Sequence, residues 1–218
     1  MPPSNRPLLA RCRGALRDAM DRWMDRRWGI DTIACNWTMA SESPALGDAN
    51  HINSVSYHLL TRFLGQLEFK PEDVFYDIGC GTGRVLCFMA RRQVAKVIGI
   101  ELSREAAAVA TANAASLRGR ASPMEVRCGD AVTMDYTDGT VFFLANPFGA
   151  ATLKAVLENI HGSLATHDRP VTFLYVYPVH SEVFAASGWL THAATRRDAL
   201  SSQPFEIWTY SNPSRFSG

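Results

Sequence analysis

The feature that most constrains the fold of this chain is a short apolar run that ends in an acidic residue and three alternating glycines. Residues 74–84 read VFYDIGCGTGR. A glycine turn of this kind lets a charged ligand approach main-chain N–H groups that a Cβ would block. The pattern therefore predicts a buried parallel strand, a tight turn and a helix, with a nucleotide-like ligand bound at the turn.

The residues around the turn indicate which ligand it binds. The glycine spacing is GxGxG, and Arg84 stands where a dinucleotide fingerprint needs its third glycine. Asp77, two residues before the first glycine, can pair with an ammonium group but would repel a pyrophosphate. S-adenosylmethionine (SAM) carries such an ammonium group, so the turn favours SAM over a nicotinamide dinucleotide.

Size, charge and cysteine content exclude several classes of protein. The 218 residues carry a net charge of +1, which argues against broad nucleic-acid binding, and no apolar run approaches membrane-spanning length. The five cysteines form no CxxC pair and are odd in number, which argues against a metal site or a disulfide framework. We therefore expect a cytoplasmic protein that binds neither metal, membrane nor nucleic acid.

The pattern along the chain predicts an N-terminal helical extension or lid over residues 1–53 and a SAM-binding domain over residues 54–218. A helix is expected from about residue 6 to residue 28, because apolar residues recur there at helical spacing: Leu8, Leu9, Cys12, Leu16, Met20, Trp23 and Met24. A second helix, capped by Asn53 or Ser54, is expected to run to about Leu67.

From residue 74 onward, predicted strands alternate with predicted helices. Strands are expected at 74–78, 96–101, 124–128, 140–146, 171–177, 189–195 and 205–211, and helices at 84–92, 104–117, 151–164 and 181–186. This alternation predicts an α/β fold with a doubly wound, mostly parallel sheet. The last two strands have no long helix between them, which predicts an antiparallel hairpin at one edge.

Each predicted strand ends in a residue suited to one part of SAM. Glu101 ends the second strand, about twenty residues after the glycine turn, where a carboxylate can accept both ribose hydroxyls. Leu102 can cover the adenine, while Asp130 can accept from the adenine amine and backbone groups near Ala131 can read the ring. The fourth strand leads into Asn146, where the reacting methyl group is expected.

These four elements occur in the order and spacing of a known family. The elements are DIGCGTG, GIELS, GDA and NPFG. Through them the chain resembles the class I, seven-strand SAM-dependent methyltransferases, and this resemblance covers about residues 54–211. It is loosely similar to small bacterial, lysine-directed members. The resemblance implies SAM as the cofactor and the following binding residues: Asp77, Gly79, Cys80, Gly81, Gly83, Glu101, Leu102, Asp130, Ala131 and Asn146.

The acceptor side is predicted from fewer residues. Asn146-Pro147-Phe148 is similar to the N/D-P-P-Y/F motif of amino-directed methyltransferases, but it lacks one proline. In that motif a polar side chain accepts from the target nitrogen and an aromatic ring stacks on the substrate. We therefore expect Asn146 to be catalytic and Phe148 to bind substrate, with a structural loop closing over SAM as the alternative.

Further acceptor-side candidates come from two other segments. Tyr175, Tyr177 and His180 follow the fifth strand, and His180 could serve as a general base, with a surface or capping histidine as the alternative. Tyr57 lies on the helix before the glycine turn. Tyr57, Tyr177 and His180 are the further catalytic candidates, and Tyr175 and Tyr177 the further substrate-binding ones.

The sequence therefore predicts a SAM-dependent methyltransferase that modifies a nitrogen, or an oxygen, of a small-molecule acceptor. Three alternatives stay open at this point. The chain could methylate protein lysines, it could consume SAM without methyl transfer and release methylthioadenosine, or it could be a SAM-binding subunit without chemistry of its own.

Overall fold

The computed structural model describes residues 8–33, 48–50, 54–199 and 201–212. Its centre is a seven-stranded sheet in the order β3-β2-β1-β4-β5-β7-β6. The strands are β1 Val74–Ile78, β2 Lys96–Glu101, β3 Met124–Cys128, β4 Val141–Leu144, β5 Val171–Val176, β6 Thr191–Arg197 and β7 Pro204–Tyr210. The helices are α1 Leu8–Trp28, α2 Tyr57–Phe63, α3 Arg84–Met89, α4 Arg104–Ser116, α5 Ala150–Thr166 and α6 Ser181–Ala186.

The strand directions confirm the predicted fold class. β1 to β5 pair in parallel, whereas β7 pairs antiparallel with both β5 and β6. The chain order reverses between β1 and β4, so the sheet is doubly wound with its switch point at β1. A ligand cleft is expected beyond the carboxyl ends of the strands at this point.

Both faces of the central strands β1, β2, β4 and β5 are buried, as the nearly continuous apolar strands predict. Phe75 belongs to the cluster that α2 and α3 cover, and Tyr76 belongs to the cluster that α5 and α6 cover. Both side chains are fully buried. The two apolar layers hold the central strands rigidly, and the strand ends can therefore present polar groups at fixed positions.

Helix α1 exposes three of the apolar side chains that its spacing predicts to be buried, while Met24 packs against the core. Leu16, Met20 and Trp23 are 72%, 52% and 56% exposed, while Asp21 and Asp25 are 5% and 3% exposed. The buried carboxylates bind polar groups of other segments, so polar contacts help to orient this helix.

Several element ends differ from the predicted ones. α2 begins at Tyr57 instead of near Ser54, because the side chain of Ser56 caps it by accepting from the N–H of Leu59. α3 ends at Met89, three residues before the predicted end. Within the described ranges, none of the helices has both the length and the apolarity that a membrane crossing requires.

Candidate cofactor and acceptor site

A cavity of about 220 Å³ lies at the carboxyl ends of β1, β2 and β4. Its wall brings together nine of the residues predicted for SAM or the acceptor: Asp77, Gly79, Cys80, Gly81, Glu101, Leu102, Asp130, Ala131 and Phe148. Other wall residues were not predicted, and those on the acceptor side include Asp48, Asn50, Ala145, Pro147 and Thr152.

The glycine turn needs its glycines for backbone conformation and for a close contact. Gly79, Gly81 and Gly83 have φ values of 78°, 54° and 86°, in the left-handed region that favours glycine. A Cβ on Gly79 would also lie 2.4 Å from the Cβ of Pro147, so the turn lies directly against the loop after β4. The N–H groups of Gly79 and Cys80 both donate to the carbonyl oxygen of Ile100, which fixes the turn on β2.

Asp77 is the most unusual group in the cavity wall. Its side chain is 2% exposed, and its Oδ2 atom has no hydrogen-bond partner among the described residues. Burial, together with the nearby negative charge of Glu101, raises the pKa of Asp77 well above its usual range. A buried acceptor without a donor costs about 1–3 kcal/mol. The ammonium group of SAM would supply both the donor and the positive charge, so this site fits the cofactor.

Glu101 is also buried, but main-chain N–H groups donate hydrogen bonds to both of its carboxylate oxygens. The main-chain N–H of Gly81 donates to Oε2 at 2.7 Å, and that of Ser103 donates to Oε1 at 2.9 Å. Burial raises the pKa of Glu101, while the N–H groups of Ser103, Gly81 and Leu102 oppose that rise. The carboxylate therefore links the glycine turn to β2, and binding of the ribose hydroxyls by Glu101 stays a prediction.

Cys80 belongs to the glycine turn, and its thiol is affected by the charges of both carboxylates. It is buried, and both burial and the negative charges of Asp77 and Glu101 raise the pKa of its thiol well above the usual range. The thiol therefore stays protonated, and Cys80 contributes its main chain and its volume to the site instead of a nucleophile.

Asp130 precedes a short 3₁₀ helix, Ala131–Thr133, and its Oδ1 atom accepts from the N–H of Val132 at 2.9 Å. The residue is exposed and lies in the cavity wall, with Ala131 beside it. This position agrees with the expected adenine end of the site. Binding of the adenine amine by Asp130 stays a prediction.

The loop after β4 is covered by a short strand-like segment, residues 48–50. Ala49 forms an antiparallel bridge with Phe148, and the N–H of Asn50 donates to the carbonyl oxygen of Pro147 at 2.8 Å. The Nδ2 atom of Asn50 donates to the carbonyl oxygen of Asn146 at 2.9 Å. Sequence reasoning missed these contacts, because this segment carries no recognisable motif and its partners lie 96 residues away.

Asn146 has a φ of 51°, and its Oδ1 atom accepts from the hydroxyl of Tyr175 at 3.1 Å. The Tyr175 side chain is buried, and its oxygen also accepts from the main-chain N–H of His180 at 3.3 Å. Neither Asn146 nor Tyr175 is part of the described cavity wall. Their position supports the shape of the loop after β4, and a direct role at the acceptor stays a prediction.

Three further acceptor-side candidates lie outside that wall as well. Tyr177 packs against the core cluster on the α2–α3 face, and burial raises the pKa of its hydroxyl. His180 precedes α6, with its Nδ1 atom 3.5 Å from Oε1 of Glu182. Tyr57 is 2% exposed and donates to Oδ1 of Asp25 at 2.5 Å. The structure therefore assigns these three side chains contacts away from the cavity.

Arg84 connects the cavity wall to α1. Its Nη1 atom donates to Oδ2 of Asp21 at 2.8 Å, and its Nε atom donates to Oγ1 of Thr32 at 2.7 Å. Thr32 and Tyr57 both donate to the carboxylate of Asp25. We call Asp21, Asp25, Thr32, Tyr57 and Arg84 the α1 network. Burial raises the pKa of Asp21, and the Arg84 guanidinium opposes that rise.

Comparison with known proteins agrees with this geometry. Residues 75–167 match the family model described as "Methyltransferase domain". A curated protein-lysine N-methyltransferase from Saccharolobus islandicus (strain REY15A) is 31% identical over 91 residues, which cover 40% of this chain and 56% of that protein. The chain thus spans about half the length of this curated relative.

Solved structures share the fold at low sequence identity. An RNA methyltransferase from Salinibacter ruber in complex with S-adenosyl-L-homocysteine has a TM-score of 0.53 and 22% identity, covering 73% of this chain and 95% of that chain. A ribosomal protein L11 methylase from Lactobacillus delbrueckii subsp. bulgaricus has a TM-score of 0.52 and 16% identity, covering 71% and 78% of the two chains. At such identities these two structures show the shared fold alone.

Proposed function

We propose that this chain is a class I SAM-dependent methyltransferase, and that it methylates a nitrogen or oxygen of a small-molecule acceptor and releases S-adenosylhomocysteine. The observation that carries this proposal is the single cavity that combines the cofactor carboxylates with a second, covered end. Asp77 and Glu101 form one side, and residues 48–50 lie over the loop after β4 on the other.

In this proposal each carboxylate binds a different part of SAM. Asp77 would hold the ammonium group of SAM, Glu101 the ribose and Asp130 the adenine. When bound, SAM supplies a methyl group that is already activated by the positively charged sulfur. The protein therefore has to orient the acceptor and exclude water, and the cover formed by residues 48–50 and Phe148 suits both tasks.

The covered acceptor end and the net charge of +1 favour a small acceptor over a nucleic acid. We also assign the reaction to the cytoplasm, because the odd set of cysteines lacks paired spacing. A second candidate acceptor is a protein lysine. The similarity to the Saccharolobus protein-lysine N-methyltransferase favours it, although that similarity covers only part of each chain.

Mass spectrometry of the products formed from SAM tests the proposal. The purified protein is incubated with SAM alone, with the small-molecule fraction of a lysate and with the protein fraction of the same lysate. S-adenosylhomocysteine that forms only with the small-molecule fraction is the expected result. Formation only with the protein fraction would support the lysine candidate instead.

Two other results would overturn methyl transfer altogether. Methylthioadenosine formed from SAM alone would indicate cyclisation or transfer of the aminocarboxypropyl group. Tight SAM binding without turnover in any fraction would indicate a SAM-binding subunit. Glu101→Ala serves as the matched control, because any product that depends on the described site should decrease in this variant.

A further inference from the structure

We propose that the carboxylate of Asp48 binds the acceptor and makes the site selective for an amine. This inference rests on the proposed function and names the chemical class of the acceptor. Asp48 lies in the cavity wall, yet none of the cofactor contacts expected from the sequence involves it.

The main chain fixes Asp48 beside the loop where the acceptor is expected. The carbonyl oxygen of Asp48 accepts from the N–H of Gly149 at 3.1 Å, and the next residue, Ala49, bridges to Phe148. Residues 48–50 therefore run antiparallel to residues 147–149 and place Asp48 at the end of the cavity that follows β4. The cofactor carboxylates Asp77 and Glu101 belong to β1 and β2.

The side chain of Asp48 is also held in place. Its Oδ1 atom accepts from the hydroxyl of Thr152 at 2.6 Å. A Cβ on Gly149 would lie 2.4 Å from its Oδ2 atom, so the glycine at this position lets the carboxylate approach the start of α5. Both carboxylate oxygens of Asp48 therefore lie against the N-terminal end of α5.

The charges in the cavity wall favour a positively charged or neutral acceptor. Among the described residues, the wall contains four carboxylates, Asp48, Asp77, Glu101 and Asp130, and one cationic side chain, Arg84. Arg84 is 5% exposed and forms an ion pair with Asp21, so its charge is already compensated. Three of the carboxylates have expected partners on SAM, whereas Asp48 has none.

An unassigned carboxylate at this place matches the needs of an amine. It attracts the protonated amine during approach, and it can accept an N–H hydrogen bond from the neutral amine and so direct the nitrogen lone pair. An acceptor that carries a carboxylate or phosphate would be repelled.

A purely structural role for Asp48 as a helix cap makes a different prediction. Thr152 is in the first turn of α5, so the Asp48–Thr152 hydrogen bond alone could explain the position of the side chain. Asp48→Asn keeps an oxygen that can accept this hydrogen bond but removes the charge. Thr152→Val removes the hydrogen bond but keeps the charge.

Two cofactor analogues separate these possibilities without knowledge of the acceptor. S-adenosylhomocysteine has no positive charge at the sulfur, whereas sinefungin carries an amino group on the carbon that replaces the methylated sulfur. The ratio of their dissociation constants, measured by titration calorimetry, reports how strongly the acceptor end of the cavity favours an ammonium group. We expect Asp48→Asn to reduce the preference for sinefungin by about fivefold.

The matched controls are Thr152→Val and Asp130→Asn, which changes a carboxylate at the adenine end of the same cavity. We expect both controls to leave the ratio within about twofold of the original protein. An unchanged ratio in Asp48→Asn, or an equal loss in Thr152→Val, would overturn the inference. Identification of an acceptor whose methylated atom belongs to a carboxylate or phosphate would also overturn it.

Failure of the proposed function gives a separate result. A protein that binds neither analogue has no cofactor site of the proposed kind, and the proposal of methyl transfer would then be wrong. Binding of both analogues with a ratio that does not depend on Asp48 would leave methyl transfer standing and reject only the role of Asp48.

Discussion

We expect Asp77 to bind the cofactor at a cost to the stability of the protein. The residue is 2% exposed, its Oδ2 atom has no partner among the described residues, and Glu101 adds a second negative charge nearby. Because burial raises the pKa of Asp77, the folded protein binds a proton more tightly than the unfolded chain does. The contribution of Asp77 to stability therefore becomes less favourable as the pH rises above the range of an ordinary carboxyl group.

This conflict between stability and ligand binding predicts a substitution at Asp77 that makes the protein more stable but weakens its binding of S-adenosylhomocysteine. Asp77→Asn should raise the free energy of unfolding of the ligand-free protein at pH 7 by about 1–3 kcal/mol, because it replaces a carboxyl group whose charged form is disfavoured by burial with an uncharged amide. The same change should weaken S-adenosylhomocysteine binding by at least about tenfold. Urea unfolding and calorimetry measure the two quantities. A loss of stability in the variant would contradict the interpretation that burial of Asp77 destabilises the ligand-free protein.

The raised pKa of Asp77 also predicts a pH dependence of binding. The ammonium group of S-adenosylhomocysteine should bind the charged form of Asp77, so its affinity should increase as the pH rises through the raised pKa of Asp77. Calorimetric titrations across this range measure the effect. Asp77→Asn should flatten the dependence, whereas a flat profile in the original protein would show that Asp77 does not hold the ammonium group.

The sequence identified some residues of the site and missed others for a physical reason. Asp77 and Glu101 were predicted because a strand, a glycine turn and a helix fix their spacing locally, and the cavity contains both. Asp48 and Asn50 were missed because their contacts with Thr152 and Asn146 span 104 and 96 residues. A contact of this kind leaves no periodic pattern in the sequence.

At the scale of elements, α1 differs most from its sequence pattern. A helix with apolar residues at helical spacing is expected to bury them, but Leu16, Met20 and Trp23 are exposed. Instead the α1 network joins this helix to the segment after the glycine turn through Arg84. The sheet was predicted correctly because strand and helix alternation is local, whereas the orientation of α1 depends on distant partners.

Breaking the α1 network should affect both stability and cofactor binding. Asp21→Ala leaves the buried guanidinium of Arg84 without its ion-pair partner, which should cost about 3–5 kcal/mol of unfolding free energy. Because Arg84 also lines the cavity, affinity for S-adenosylhomocysteine should fall as well. Trp23→Ala, on the exposed face of the same helix, is the control and should change stability by less than about 0.5 kcal/mol.

A double-mutant cycle identifies the ion pair as the cause. Asp21→Leu and Arg84→Met should each be strongly destabilising, while the combined variant should recover a large part of the loss, because it buries no unpaired charge. Losses that simply add in the combined variant would mean that Asp21 and Arg84 act independently.

At the scale of the whole molecule, the cavity lies at the switch point where the two halves of the parallel sheet meet. Its wall includes groups from β1, β2, β4 and the segment at residues 48–50. A ligand in this position contacts parts of the chain that are far apart in sequence, and its binding should therefore stabilise the global fold instead of one loop.

Thermal unfolding with S-adenosylhomocysteine tests this expectation. At a concentration one hundred times the dissociation constant, the ligand should add about 2.7 kcal/mol, which raises Tm by about 5–10 °C for a protein of this size. Glu101→Gln should show a smaller shift at the same concentration, because an amide nitrogen would meet the N–H of either Gly81 or Ser103. A full shift in that variant would place the ligand elsewhere.

The sequence separation within the α1 network has a consequence for how the protein is made. Asp21 precedes its partner Arg84 by 63 residues. At a synthesis rate of about 5–20 residues per second, Asp21 is added to the chain about 3–13 s before Arg84. During that interval the ion pair that joins α1 to the glycine turn cannot form, and its formation has to wait for α3. Helix α1 therefore reaches its final arrangement only after the glycine turn has been added to the chain.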